Sequence, residues 1–99
     1  MTEAATSTGV TLRLPSALAD VAGGRQLVIE PAPVDVGGLL DSVDAVNPAL
    51  ARRIRDETGA VRRFVNVYVD GDDVRHLDGL ATPLRPGGVV HVIPSVAGG

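Results

Sequence analysis

The sequence predicts an α+β domain in which one main helix lies across a mixed sheet of four to five strands. Apolar residues alternate with polar ones near both ends of the chain, which is typical of half-buried strands. A central segment has apolar residues at helical spacing instead, and Gly and Pro separate these segments. The 99 residues, 44% of them hydrophobic and 21% charged, have the size and composition of one globular domain.

The ends of the chain differ from this patterned middle. Residues 1–9 are small and polar, so we expect a flexible N-terminal extension. The patterned domain is expected to span residues 10–94. Residues 95–99 follow a proline and are expected to form an extended C-terminal tail that ends in Gly-Gly.

Two strands are predicted in the first third of the domain. Apolar residues alternate over residues 10–14, so Val10, Leu12 and Leu14 share one face, and Thr11 and Arg13 lie on the other. Gly23-Gly24 provides a turn, and residues 26–30 form a second short apolar run. These segments predict a hairpin.

The main helix is predicted to begin after Asp35, a residue type that commonly caps helix N-termini. One apolar stripe would face the sheet: Val36, Leu39, Leu40, Val43 and Val46. Asn47-Pro48 ends this helix, because a residue that precedes proline avoids the helical conformation.

The same Asn47-Pro48 pair predicts the start of a second short helix, with Asn47 as its cap and Pro48 in its first turn. Leu50 and Ile54 would face inward, and Gly59 would end the helix. Three arginines would lie on its solvated face: Arg52, Arg53 and Arg55.

Two further strands are predicted in the second half of the chain. Residues 64–69 should place three valines on one face and the following residues on the other: Phe64, Asn66 and Tyr68. Residues 74–84 have too little periodicity for a prediction. A turn at residues 86–88 leads to a last strand over residues 89–93, which Pro94 ends.

A helix that joins the second and third strands, with the last strand pairing centrally, is the β-grasp arrangement. Periodicity alone leaves it as one of several α+β arrangements.

Composition excludes several classes of function. The chain has no Cys, and all nine of its basic residues are Arg. Disulfides, thiolate nucleophiles and zinc–thiolate sites are therefore excluded. The net charge of −3 argues against nucleic acid as a partner. No apolar run approaches membrane-spanning length, so we expect a cytoplasmic protein with no membrane partner.

No metal site is expected. An EF-hand loop that began at Asp70 would need Gly and Glu where Arg75 and Ala81 stand, so the acidic stretch is interpreted as a solvated turn. His76 and His91 are not accompanied by a ligand pattern. The sequence also lacks a phosphate-binding glycine loop and a recognisable catalytic set, so we expect no catalytic residues.

The tail is the most informative segment. Five residues beyond Pro94 can extend about 16–18 Å, far enough to enter a buried site of a partner while the domain stays outside. Two terminal glycines, Gly98 and Gly99, have no side chains to obstruct a narrow channel. A carboxylate is a poor electrophile, so any chemistry at Gly99 requires activation by a partner enzyme.

From Phe64 onward, the sequence contains the strand NVYV, the stretch DGDDVR, LATPL before a PGG turn, and the ending VIPSVAGG. In these motifs it resembles the MoaD/ThiS family of ubiquitin-like sulfur carriers, and within it the CysO type of bacterial cysteine biosynthesis. It implies a β-grasp fold for the whole domain, although the first half matches only in the order of its elements.

The resemblance also implies a chemistry in which the protein is a substrate of other enzymes. An E1-like adenylyltransferase/sulfurtransferase would adenylate Gly99 with ATP and convert it to a thiocarboxylate. An acceptor synthase would then take the sulfur: the cysteine-synthase type is favoured, and thiamine-thiazole, molybdopterin or thiosugar synthases are possible. No permanently bound cofactor is implied.

The partner's active site would receive the tail residues Val96, Ala97 and Gly98. One exposed face of the sheet would dock the partner, with Phe64, Tyr68 and His91 as candidates. Two alternatives stay open: a ubiquitin-like modifier that is joined through Gly99 to target lysines, and an interaction domain with an inert tail.

Overall fold

The computed structural model describes residues 8–94. Its strands and helices follow in chain order: β1 Val10–Arg13, α1 Ser16–Ala22, β2 Gln26–Ile29, α2 Val36–Val46, α3 Pro48–Ile54, β3 Val65–Val69, β4 Asp72–Asp73 and β5 Val89–Pro94. Two short 3₁₀ turns, Val74–His76 and Gly79–Ala81, lie in the segment that had no predicted structure.

The five strands form one sheet in the order β2-β1-β5-β3-β4. The last strand, β5, lies in the middle, parallel to β1 and antiparallel to β3. The mixed sheet, the central last strand and the helix between the second and third strands confirm the predicted β-grasp arrangement.

The core lies between one face of this sheet and the helices. Alternate strand residues point into it, so the helical stripe of α2 packs on a floor of valine and leucine. The fully buried side chains are Leu12, Leu39, Leu40, Leu50, Ile54, Val10, Val36, Val43, Val67, Val90 and Val92. Within residues 8–94, no helix has the length and apolar character needed to cross a membrane.

The strands β1 and β2 pair as predicted, from Val10 opposite Ile29 to Arg13 opposite Gln26. The expected direct hairpin was wrong, however, because α1 lies between them. This helix has no fully buried residue and no side-chain cap, and a left-handed Gly23 (φ 82°) ends it. Its apolar residues, which are Leu18, Val21 and Ala22, are half-buried against the core.

The predicted start of α2 is confirmed: Asp35 accepts a hydrogen bond from the Gly38 amide at 2.8 Å. The inward placement of Val46 was wrong, since that side chain is 69% exposed. With a rotation of about 100° per residue, Val46 lies about 70° around the helix axis from the middle of the apolar stripe. Asn47 then redirects the chain, and Leu50 of α3 is buried in the core instead.

The second helix also begins as predicted, with Asn47 capping it and Pro48 in its first turn. It ends at Ile54, and not near Gly59, because Arg55 is extended and bridges to Val61. Gly59, with φ 91°, belongs to the intervening turn.

The exposed position expected for Arg55 was also wrong. Its side chain is 16% exposed and pairs with Asp41 at 2.7 Å.

The N-terminal boundary lies earlier than expected. The Thr8 carbonyl accepts a hydrogen bond from the Ala32 amide at 2.8 Å, and the Gly9 carbonyl accepts one from Gly87 at 2.8 Å. Gly9 is buried. The folded body therefore includes at least these two residues of the expected extension, while residues 1–7 lie outside the described part of the chain.

Candidate functional site

The first candidate site residues, Val96, Ala97, Gly98 and Gly99, lie outside the described residues. What the structure gives is the point at which the chain leaves the sheet. Pro94 is the last residue of β5 and lies opposite Val65 of β3. The segment after Pro94 therefore continues from the central strand, which is bonded to neighbours on both sides.

Phe64 lies at the same end of the sheet. It directly precedes Val65, the partner of Pro94, and its side chain is 52% exposed. The prediction that it belongs to β3 was wrong, because Arg63 and Phe64 form a turn and the strand begins at Val65. An aromatic ring half open to solvent beside the exit of the chain is suited to contact with a partner.

Tyr68 and His91 are brought together by the sheet. They lie directly opposite each other on β3 and β5, at a spacing of about 5 Å between Cβ atoms for such pairs. Both occupy the outer face, which we define as the side of the sheet away from the helices. Its other members are Thr11, Arg13, Gln26, Val28, Asn66, Val89 and Ile93.

The row that holds Tyr68 and His91 continues across the sheet. His91 is also opposite Arg13 on β1, and Arg13 is opposite Gln26 on β2. The Arg13 Nε donates a hydrogen bond to Gln26 Oε1 at 3.3 Å. At the other end of the row, Tyr68 lies opposite Asp73.

One side of this row is basic. Arg13, Arg25 and His91 line a shallow depression with Leu14 and Gln26, which we call the basic depression. No carboxylate of residues 8–94 lies within ion-pair distance of either arginine. Neither arginine was predicted as a site residue, although the alternation in β1 had already placed Arg13 opposite to the core-facing side chains.

The acidic groups near the outer face are engaged by neighbours. The Arg75 amide donates to Asp73 Oδ1 at 2.8 Å, and this bond, with a smaller effect of the Arg75 guanidinium, lowers the pKa of the Asp73 carboxyl. Arg75 also donates to Asn66. Asp70 accepts from the Val89 amide at 2.9 Å and lies 4.0 Å from Arg85. In the acidic stretch, Asp70 and Asp73 thus bond to the chain itself.

The arrangement is suited to recognition. Over residues 8–94, no group of three or more His, Asp or Glu side chains is arranged to hold a metal ion. His76 lies in the 3₁₀ turn after β4, and His91 lies in the middle of the sheet. An exposed, aromatic and basic sheet face beside the exit of the chain is suited to orienting a partner.

Comparisons with known proteins agree with this geometry. The profile of the ThiS family matches residues 12–99. The sulfur carrier protein CysO of Mycobacterium tuberculosis (H37Rv) is 35% identical over 92 residues, which cover 91% of this chain and 98% of that protein. Small archaeal modifier protein 3 of Haloferax volcanii is 47% identical over 64 residues, covering 65% and 68% of the two chains.

A solved structure gives the same result for the fold. A chain in the complex of BexX and CysO from Amycolatopsis orientalis superposes with a TM-score of 0.79 at 31% identity, covering 91% of this chain and 99% of that one. The domain thus has the ubiquitin-like β-grasp fold. Because the profile spans nearly the whole domain and continues through the final Gly-Gly, this chain is a member of the ThiS family.

Proposed function

We propose that this protein is a sulfur carrier of the CysO type, and that the sulfur is held as a thiocarboxylate on Gly99. The observation that carries the proposal is that the family match extends through residue 99 and so includes the Gly-Gly ending. The strand that leads to this ending, β5, is the central strand of the β-grasp body. The relative that is named as a sulfur carrier aligns with this chain over 98% of its own length, which supports the same function.

The chemistry proceeds in two stages on an activating enzyme. The Gly99 carboxylate attacks the α-phosphorus of ATP, which forms an acyl adenylate and releases pyrophosphate. Sulfide (HS⁻) supplied by the partner then attacks the acyl carbon and displaces AMP, which leaves the thiocarboxylate. The carboxylate oxygen that bonded to phosphorus leaves with AMP, so one oxygen of Gly99 is replaced by sulfur.

The roles of this chain are reach and recognition. Five residues beyond Pro94 extend about 16–18 Å, so Gly99 can react inside the partner while the body stays outside. Val96 and Ala97 would occupy the entrance of the partner's channel, and Gly98 would lie in its narrowest part. The outer face with Tyr68 and His91, together with Phe64, would hold the body against the partner.

The thiocarboxylate would serve as the sulfur donor for an acceptor synthase. The resemblance to the CysO type of bacterial cysteine biosynthesis favours a synthase of the cysteine-forming type. The solved complex of a CysO with BexX supports the proposal that the carrier also binds a sulfur-accepting synthase, in addition to the activating enzyme. Because activation consumes ATP, we place the reaction in the cytoplasm.

A second function has an observation in its favour. The relative named as a small archaeal modifier protein supports conjugation of Gly99 to amines of other proteins. The adenylate is common to both functions, and they differ in whether sulfur or an amine attacks it. Since the chain has no lysine, copies of it could not be joined to one another through lysine side chains.

Intact-mass measurement tests the proposal. The protein is incubated with the activating enzyme of its own organism, ATP and a sulfur source. An increase in mass equal to the exchange of one oxygen for sulfur supports the carrier. Amide-linked adducts on other proteins without any thiocarboxylate would establish the modifier instead.

Variants locate the reaction on the tail. Deletion of Gly99 is expected to abolish adenylation. Gly98→Ala is expected to slow it, because the added methyl group would obstruct entry of the tail into the partner's channel. Gly24→Ala is the matched control, since nothing lies within 4 Å of the methyl group that it would add. If the Gly99 deletion still accepts AMP, the tail is not the reactive segment.

A further inference from the structure

The basic depression carries an inference that rests on the proposed function and extends it. We propose that it receives a carboxylate side chain from an acidic loop of the activating enzyme. Arg13, Arg25 and His91 line this depression together with Leu14 and Gln26.

The first argument is charge. The whole chain carries a net charge of −3, yet two arginines line this depression. The acidic residues near it are already engaged: Asp73 pairs with Arg75 at 3.4 Å, and Asp70 lies 4.0 Å from Arg85. In the described part of the chain, Arg13 donates only to the neutral amide of Gln26. The cations therefore have hydrogen-bonding capacity that an incoming anion would satisfy.

The second argument is the chemistry of the donors. An arginine guanidinium presents a planar fork of N–H groups that matches the two oxygens of a carboxylate. Arg13 ends β1 and Arg25 directly precedes β2, and both line the same depression. His91 adds a ring nitrogen from β5.

The third argument concerns the class of partner. Apolar and aromatic side chains flank the cations on the outer face: Val28, Tyr68, Val89 and Ile93. Tyrosine and arginine beside apolar groups are typical of protein interfaces.

The location of the depression suits a docking contact. His91 precedes Pro94 by three residues on one strand, a separation of about 10 Å. Because β1 is parallel to β5, Arg13 lies toward the same end of the sheet as the exit of the chain. A carboxylate bound here would hold the body while the residues beyond Pro94 enter the partner.

Steady-state kinetics of ATP–pyrophosphate exchange test the proposal with the full-length chain and its own activating enzyme. At low salt, Arg13→Glu is expected to raise the KM for the carrier about tenfold, and Arg25→Glu about threefold, because each reverses a charge at the interface. The KM for ATP should not move. At 0.5 M salt the differences should shrink, since screening shortens the range of charge interactions.

Arg53→Glu is the matched control. It makes the same change of charge at an exposed position of α3, on the helical side of the domain, and should stay within about twofold of the unmodified protein. All three variants should melt at the same temperature as the parent, because the replaced side chains are exposed. Equal effects of Arg13→Glu and Arg53→Glu would overturn the proposal and indicate a response to net charge.

An NMR titration decides the matter independently of activation. The peptide acetyl-Gly-Glu-Glu-Gly-amide should shift the backbone amides around Arg13, Arg25 and His91, and the Gln-Gln analogue should not. Equal shifts with both peptides, or larger shifts with inorganic phosphate than with the Glu peptide, would overturn the proposal. If the unmodified protein is not adenylated at all, the proposed function fails, and the peptide result still decides whether the depression binds carboxylates.

Discussion

The side-chain amide of Asn47 donates a hydrogen bond to the backbone carbonyl of Val21 at 2.9 Å, which fastens the end of α1 to the junction of α2 and α3. The same side chain caps α3, because its Oδ1 accepts a hydrogen bond from the Leu50 amide at 3.1 Å. One residue therefore joins three helices.

Replacing Asn47 separates these two bonds. Asn47→Ala removes both and should lower the free energy of unfolding by about 1–3 kcal/mol. Asn47→Asp keeps the capping oxygen but loses the donor to Val21, so it should fall between Asn47→Ala and the parent. Urea denaturation measures both changes, and equal stability of Asn47→Ala and the parent would contradict the assignment.

Gly9 is expected to tolerate no side chain. A Cβ atom added there would lie 2.7 Å from the carbonyl oxygen of Ile29, where β1 begins to pair with β2. Gly9→Ala should therefore destabilise the domain by about 1–3 kcal/mol through steric overlap. Thermal unfolding provides the measurement. Gly24→Ala should have the same melting temperature as the parent, because nothing lies within 4 Å of the added Cβ atom.

Asp56 should make stability depend on acidity. The hydroxyl of Thr58 donates to its Oδ1 at 2.6 Å and the Thr58 amide at 2.8 Å, and these bonds lower the pKa of the Asp56 carboxyl below its ordinary value. The folded state therefore favours the charged form. This contribution is present above the ordinary pKa and is lost as the pH falls through the lowered pKa of the folded state.

Asp56→Asn should consequently lose less stability than the parent when the pH is lowered from 5 to 2.5. Denaturant unfolding at both pH values gives the comparison, with Glu57→Gln as the control for the removal of one charge. Parallel losses in the parent and in Asp56→Asn would exclude a contribution of this carboxylate.

Phe64 should matter for binding and little for folding. Its ring is 52% exposed beside the exit of the chain, so Phe64→Ala should change the melting temperature only slightly. The KM for the carrier in adenylation should rise about threefold or more, as expected for an aromatic residue at an interface. Val34→Ala, at a position that is 82% exposed, is the control, and an equal response of both variants would refute a specific role.

The helices that follow local signals could be predicted, and the others could not. Asp35 and the pair Asn47-Pro48 act within three residues of themselves, so the starts of α2 and α3 are written in short segments. The seven residues of α1 have no such cap and no fully buried residue. Its formation depends on half-buried contacts with the core, which no local pattern shows.

The candidate site divides in the same way. Alternation alone assigned Tyr68 and Arg13 to strand faces that point away from the core. That both lie opposite His91 depends on the register of β5 with two strands distant in sequence. Local patterning does not specify that register, so the sequence named Tyr68 and His91 as candidates and did not name Arg13 and Arg25.

The central place of β5 has a mechanical consequence. This strand pairs parallel with β1 and antiparallel with β3, so hydrogen bonds hold it on both sides. A force that pulls on the chain beyond Pro94 therefore acts along the strand and is shared by both rows of hydrogen bonds. Such rows resist shear together and do not open one bond at a time. Under the proposed function, the body is therefore a stable anchor while a partner enzyme draws the end of the chain inward and releases it.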